Sequence, residues 1–368
     1  MKNIILGNGI NIQFGGLDNT NKRIIDRALL KLKLKDYNQD VYTDEIRIWI
    51  KMLYQAFPEF IKGHYDKLAV LKDEKEELLN FKKRYTIKTP INEIGFEDFF
   101  LLNELHCRKN KITNPEKFYF QEFLRRLFLD SIFNKGKVNL IYKNFPSGFI
   151  SFLNTYDNIF TANYDRNLEI ATGRDILYLH GAFHVLAHEY DPTSFRNKLS
   201  DKPAEKTPVI KGYEHVFSTA LTGSSGAFKQ HAGDSHEQAN SAIEKFADGY
   251  LNKPELRPEI ETWKDSDNEI VRNLYEGIKL KINNPDLKFS IDYALNQLKD
   301  IKGSITFMGL SPNNDTHIIS SIRNNDKIDL IEYYYFDESE GEIVESLFEN
   351  KKVLFSDIKE FWDKTTSP

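Results

Sequence analysis

The sequence predicts an α/β fold built on a parallel sheet, and three observations carry that prediction. Short apolar runs recur along the chain, each stopping abruptly at glycine or polar residues. Two of them, Asn158 to Thr161 and Ile176 to Leu179, are separated only by a short helical segment, Asp165 to Ala171. Long stretches between the other runs repeat apolar residues at three- and four-residue steps. A strand, helix and strand packed within roughly twenty residues imply a parallel pair joined by a right-handed crossover. The expected architecture is a single domain, residues 1–368: a Rossmann-like parallel sheet with a large helical layer or cap, 20–154, and a second, mixed insertion, 185–300.

Composition narrows the function. With 368 residues, 40% hydrophobic and 13% aromatic, the chain can bury a large core. Its net charge of -5 argues against the phosphate backbone of a nucleic acid as its main partner. No stretch approaches the ~20 apolar residues that cross a bilayer, and the apolar start is too short for a signal peptide, so the expected location is the cytoplasm. Cys107 is the only cysteine, which excludes an internal disulfide and a cysteine-based zinc ribbon.

Lys2 to Leu6 reads as a buried strand that opens into Gly7-Asn8-Gly9-Ile10-Asn11. Ile12 stands where a full dinucleotide fingerprint wants its third glycine, so the turn fits a tight strand-to-helix junction as well as a phosphate cradle. In the next segment Ile46, Trp49, Ile50, Leu53, Phe57 and Phe60 line one helix face, which marks core. Phe118 to Phe133 reads as another helix, with Arg125 and Arg126 expected on its wet side. The charge run Lys72 to Lys83 reads as a solvated helix face.

Asp165 is placed to cap the short helix that follows the strand ending at Thr161. In the second insertion, Pro192, Ser200, Asp201, Pro203 and Gly223 to Gly226 suggest long surface excursions; Ser241 to Tyr250 and Asn268 to Lys281 read as helices. Val209 to Gly212 is expected as a strand entering the site. Lys211 and Lys229 read as surface residues or as phosphate ligands. Ser304 to Gly309 is again a strand ending in glycine, followed by Leu310-Ser311-Pro312-Asn313-Asn314-Asp315 and a helix, Thr316 to Ile322. Such a junction offers free amides to a phosphate or ribose. Leu330 to Phe336 and Val353 to Phe355 supply further strands.

Four strand ends thus carry glycine or polar residues, and in parallel sheets ligands sit at the carboxyl ends of strands. His180, His184 and His188 lie four apart, but Gly181 and the preceding strand argue against a shared helix face, and no carboxylate joins them at helical spacing; no metal is expected. The chain has no Gly-x-Ser-x-Gly elbow for a serine hydrolase.

Taken in order, Gly7-Asn8-Gly9-Ile10-Asn11, Thr161-Ala162-Asn163-Tyr164-Asp165, Leu179-His180-Gly181 and Phe307-Met308-Gly309-Leu310-Ser311 resemble the nucleotide-binding and catalytic segments of sirtuin-like domains, above all bacterial NAD-hydrolysing members of anti-phage and abortive-infection systems. Two departures stand out. The four-cysteine zinc ribbon of sirtuin deacylases cannot be built, which favours hydrolysis over deacylation, and Asn8 and Asn11 stand where relatives commonly place a small residue and a serine.

The resemblance implies cleavage of the nicotinamide–ribose bond of NAD, as substrate, to nicotinamide and ADP-ribose. Asn163 would hold the ribose and the attacking water, and His180 would be the base. Gly7, Gly9 and Asn11 would approach the diphosphate, Thr161 would line the cofactor site, and Gly309 with Ser311 would hold the adenosine side. Asp165 would receive the nicotinamide carboxamide or serve only as a helix cap worth ~1 kcal/mol. Expected partners are a second copy of the chain or a defence-system protein, with neither membrane nor nucleic acid. The competing readings are a non-catalytic nucleotide-binding sensor module and an NAD-dependent protein deacylase.

Overall fold

The computed structural model describes residues 1–113, 116–190, 209–220, 226–288, 293–312, 315–348 and 351–366. Its centre is a six-stranded sheet, β1 (Lys2–Leu6), β2 (Asn158–Thr161), β3 (Leu177–Tyr178), β4 (Gly303–Met308), β5 (Ile328–Tyr335) and β6 (Val353–Asp357), all parallel and ordered β3-β2-β1-β4-β5-β6. This is the Rossmann-like order, with β1 at the middle and the strand sequence reversing between β1 and β4.

Alternation in β1 explains why the sheet is covered on both faces. Ile4 and Leu6 join the core of the helical layer, while Ile5 faces the opposite core with Phe160, Ile305, Phe307 and Ile331.

The chain between β1 and β2 supplies the helical layer: α1 (Gly9–Gly15), α2 (Asn21–Leu34), α3 (Glu45–Ile61), α4 (Lys72–Arg84), α5 (Asp98–Lys109), α6 (Glu116–Phe133) and α7 (Ser147–Leu153). The α3 stripe forms as its spacing predicts, with Ile46, Trp49, Ile50, Leu53, Phe57 and Phe60 all buried. Most of α4 is the wet helix its charge run implies. Leu78 and Phe81 form its buried face, and among its described charged residues Glu74 is the exception. It is buried, accepts the backbone N–H groups of Val70 and Leu71 at the start of the helix, and takes both guanidinium ends of Arg108.

Arg125 and Arg126 depart from expectation, because neither lies on a wet face. Arg126 is buried and donates to Glu122 (2.9 Å) and to the Val41 carbonyl (3.0 Å); Arg125 is largely enclosed and donates to Glu122 (2.7 Å) and to the Val216 carbonyl (2.7 Å). Spacings of three and four residues from Glu122 bring both cations to one carboxylate.

Between β2 and β3 lies α8 (Asn167–Thr172), and after β3 come α9 (Gly226–Asn252), α10 (Arg257–Thr262), α11 (Glu269–Asn283) and α12 (Leu295–Asp300). Ile243, Ile260 and Ile278 give α9 to α11 a small core of their own. Val209 to Gly212 is a turn, not a strand. The readings placed on Pro192, Ser200, Asp201, Pro203 and Gly223 to Ser225 fall outside the described residues. After β4 and β5 come α13 (Thr316–Arg323) and α14 (Glu338–Leu347), and α15 (Ile358–Thr366) ends the described chain. Among the described residues no helix is long and apolar enough to cross a membrane.

Candidate functional site

Register sets the site. Leu6 is level with Thr161 on one side and Met308 on the other, and Thr161 is level with Tyr178. Gly7, Ala162, Leu179 and Gly309 therefore leave the sheet at one height, and Asn163 and His180 each follow one residue later. Both sit at the carboxyl edge, beside the crevice where the strand order reverses.

The glycines first satisfy one another. A Cβ on Gly7 would stand 2.3 Å from the Gly309 carbonyl oxygen, and one on Gly9 would stand 2.6 Å from Gly309 Cα. Gly9 N–H donates to the Gly309 carbonyl at 2.9 Å, and Gly309 holds a φ of 67°. Backbone thus packs directly on backbone across the reversal point, an approach that any side chain would block. Ser311, half-buried, lies just beyond, and its carbonyl accepts the Asp315 N–H at 3.3 Å; Asn313 and Asn314 lie outside the described residues.

Thr161 shapes the end of β2. Its hydroxyl donates to the Leu6 carbonyl and accepts the Asn163 N–H, both at 3.1 Å. Asn163, buried, then donates its amide to the Gly7 carbonyl at 3.2 Å, tying β2 to β1. Asn11 and Asp165 bond to each other: the Asn11 amide donates to Asp165 Oδ2 at 2.7 Å, while Asp165 Oδ1 accepts the Asn167 N–H (3.0 Å) and side-chain amide (2.6 Å). Burial pushes the Asp165 carboxyl up in pKa, and these donors oppose it. The helix was expected to begin at Asp165; α8 instead begins at Asn167, with Arg166 at its cap position, and Asp165 closes a turn onto the Asn167 N–H.

His180 has neighbours that the motifs did not indicate. Its Nε2 lies 2.8 Å from Nε2 of His317, and Asp315 Oδ1 is 4.0 Å away. All three residues are buried. Lys229, taken as a surface residue or a phosphate ligand, is instead only 2% exposed and pairs with Glu97. That pair joins the start of α9 to the residue preceding α5, so the two insertions meet there. Lys211, by contrast, is exposed.

The electrostatics follow from this enclosure. Burial, then the Lys229 ammonium and His317, hold His180 well below the usual imidazole range. Burial with Lys229 takes His317 down to about 3. Burial pushes Asp315 up to about 7, with Lys229 opposing and Glu97 assisting. Burial works against the Lys229 charge, but Glu97, Tyr164 and Asp315 outweigh it and raise the ammonium above its ordinary range. At neutral pH both histidines are neutral.

Ligand-type atoms of His180, Asp315 and His317 lie within 4.8 Å of one another. Two features count against a cation there. The facing histidine nitrogens are closer than the roughly 3.3 Å between ligands of a tetrahedral zinc, and the Lys229 ammonium acts on all three groups. His184 turns outward, 3.8 Å from Glu169, while His180 is buried, so the four-residue histidine spacing brings no ligands together.

Sequence reasoning missed Asp315 and His317. The available signal was an acid and a histidine two apart at the start of the helix that follows β4, Asp315 at its cap position and His317 in its first turn.

Fold and site together define a Rossmann-like α/β protein with a buried His/His/Asp group, and separately a buried Asn163, at the carboxyl edge of its sheet. No family model, curated protein or solved structure matches the chain.

Proposed function

We propose that this chain is an NAD hydrolase, cleaving the bond between nicotinamide and ribose to give nicotinamide and ADP-ribose, and that it acts in the cytoplasm as an effector of bacterial anti-phage defence by NAD depletion. The observation that carries the reading is the convergence of Asn163 and His180 on the carboxyl edge of adjacent strands, beside the glycine-lined reversal point. The resemblance of the four strand-end motifs to sirtuin-like domains points the same way.

The chemistry asks little of the protein. Nicotinamide in NAD is already a cationic leaving group, so the bond breaks without a general acid. What is needed is orientation, a nucleophile and a proton acceptor. The carboxamide of Asn163 can donate and accept at once, which suits a ribose hydroxyl and an attacking water together. His180, neutral at pH 7 in its buried site, accepts the proton. Asn11 and Asp165, bonded to each other, are offered to the diphosphate and the nicotinamide carboxamide only if the ligand replaces that bond.

The test is incubation of the purified chain with NAD and chromatography of the products. Nicotinamide and ADP-ribose are expected, and His180→Ala or Asn163→Ala should lower turnover by about 100-fold or more at unchanged fold. Full turnover in both variants sinks the assignment. A second reading, a nucleotide-binding module without turnover, draws on the enclosure of His180, which is 1% exposed; calorimetry would then show binding and chromatography no product.

A further inference from the structure

The hydrogen bonds around His180 fix where its protons are. His180 donates to the Ala162 carbonyl, and its Nε2 faces His317 Nε2 at 2.8 Å. A neutral imidazole carries one hydrogen, so that hydrogen is on Nδ1, pointing to Ala162, and Nε2 of His180 is a bare lone pair. The hydrogen between the two rings therefore belongs to His317 Nε2. This leaves His317 Nδ1 as a second lone pair, buried and without a hydrogen-bond partner among the described residues. The opposite tautomer would strand a buried N–H there, the costlier arrangement.

His180 is thus the histidine whose basic nitrogen is already covered, and His317 is the one whose basic nitrogen is free. We propose that His317 Nδ1 takes the proton of the attacking water directly and passes its own Nε2 hydrogen to His180, which holds it 4.0 Å from the Asp315 carboxylate. The inference rests on the NAD-hydrolase reading and names a further catalytic residue for it. The proton balance closes. The water hydrogen forms a bond to His317 Nδ1, the Nε2–H bond of His317 breaks as His180 gains Nε2–H, and the oxygen lone pair makes the new bond to ribose while nicotinamide leaves with its electron pair. The titratable groups around the pair are the Lys229 ammonium from α9, Glu97 beside it, the neutral Tyr164 phenol after β2, and Asp315, which also acts on Tyr333 of β5. Lys229 opposes a standing imidazolium, so the cation at His180 is short-lived and the resting pair is neutral. Asp315 is the carboxylate placed to offset it.

Two measurements test this. Long-range proton–nitrogen NMR on ¹⁵N-histidine-labelled wild type should give His317 protonated on Nε2 and His180 on Nδ1, the His317 signals being assigned by their loss in His317→Gln. In that variant the glutamine amide can still donate to His180, but no base remains at the Nδ1 position. Turnover of NAD should fall about 100-fold in kcat with KM little changed. A His317 found protonated on Nδ1, or a His317→Gln chain turning over NAD at the wild-type rate, overturns the relay. Failure of the wild type to release nicotinamide overturns the NAD reading instead, and the wild-type spectrum tells the two failures apart.

Discussion

Two buried polar clusters built from the same residue types behave oppositely. In the helical layer, Glu122 takes Arg125, Arg126 and Tyr190, while a few turns along α6 Asp130 takes Lys31, the Tyr42 hydroxyl (3.1 Å) and His215 Nε2 (3.0 Å). Each carboxylate there meets several donors. At the sheet edge, His317 Nδ1 has no hydrogen-bond partner among the described residues, and Asp315 stands 4.0 Å from His180. A cluster whose bonds are complete can only hold elements together. One with an open buried lone pair has somewhere for a reactant to bind. The helical-layer groups fasten Tyr190, Val216 and His215, which follow β3, onto α2 and α6; the edge group keeps an acceptor that no described residue fills.

The contrast breaks most visibly at Glu122. Burial would raise its carboxyl, but Arg125 and Arg126 outweigh it and bring it well below the usual carboxylate range. Glu122→Gln leaves two enclosed guanidinium groups without their shared anion, and the expected loss is about 3–5 kcal/mol, read as a lower urea midpoint. NAD turnover per folded molecule should stay at the wild-type value. A variant of unchanged stability would mean that the cluster is not what fastens the two segments.

Asp315 gives the next largest effect, and of opposite sign. Its carboxyl is raised, so between about pH 4 and 7 the folded chain holds a proton that the unfolded chain has lost, and this group makes stability fall as pH rises through that window. Asp315→Asn removes that fall. His317, lowered to about 3, contributes the reverse slope, its share of stability rising between about 3 and the usual imidazole range. The difference between variant and wild type isolates Asp315: near zero at pH 4, it should grow to on the order of 4 kcal/mol in favour of the variant by pH 8. Urea midpoints measured at intervals across that range check it, and a flat difference sinks the assignment. An equivalent pH series on Glu122→Gln should show its loss fully developed above the ordinary glutamate range, because a depressed carboxyl stabilises there and ceases to do so only as acid reaches its folded value.

These two clusters also mark what the sequence could tell. The strands were legible because each is an apolar run with a polar stop, and Lys2–Leu6 matches to the residue. The sheet order was not, since which strands become neighbours depends on contacts between residues 150 or more apart. Asn163 and His180 stood out at strand ends, but His317 lies inside a helical run and Asp315 at its start, where an acid reads as a cap. Arg125 and Arg126 were assigned to water because charge usually is, although Glu122 at three and four residues already offered them a partner. Lys229 gave no such signal, as Glu97 lies 132 residues away.

Asp165 separates the two kinds of cluster by the smallest margin. Its strand-end motif suggests a ligand contact, yet its oxygens are as fully engaged as those of the helical layer, by Asn11 and twice by Asn167. If completeness of bonding decides, Asp165 is structural. Asp165→Asn keeps one oxygen for the Asn167 N–H but presents an NH2 group to the Asn11 amide. Rotation of the Asn11 amide restores an acceptor there, so the net cost is about 1 kcal/mol, a small fall in melting temperature. KM for NAD should then move less than twofold, because the turn that carries Asn163 is retained. A KM raised tenfold at unchanged melting temperature would reverse the assignment: the Asn11–Asp165 bond would be a placeholder that the substrate displaces, and full bonding in a resting chain would no longer distinguish a scaffold from a binding site.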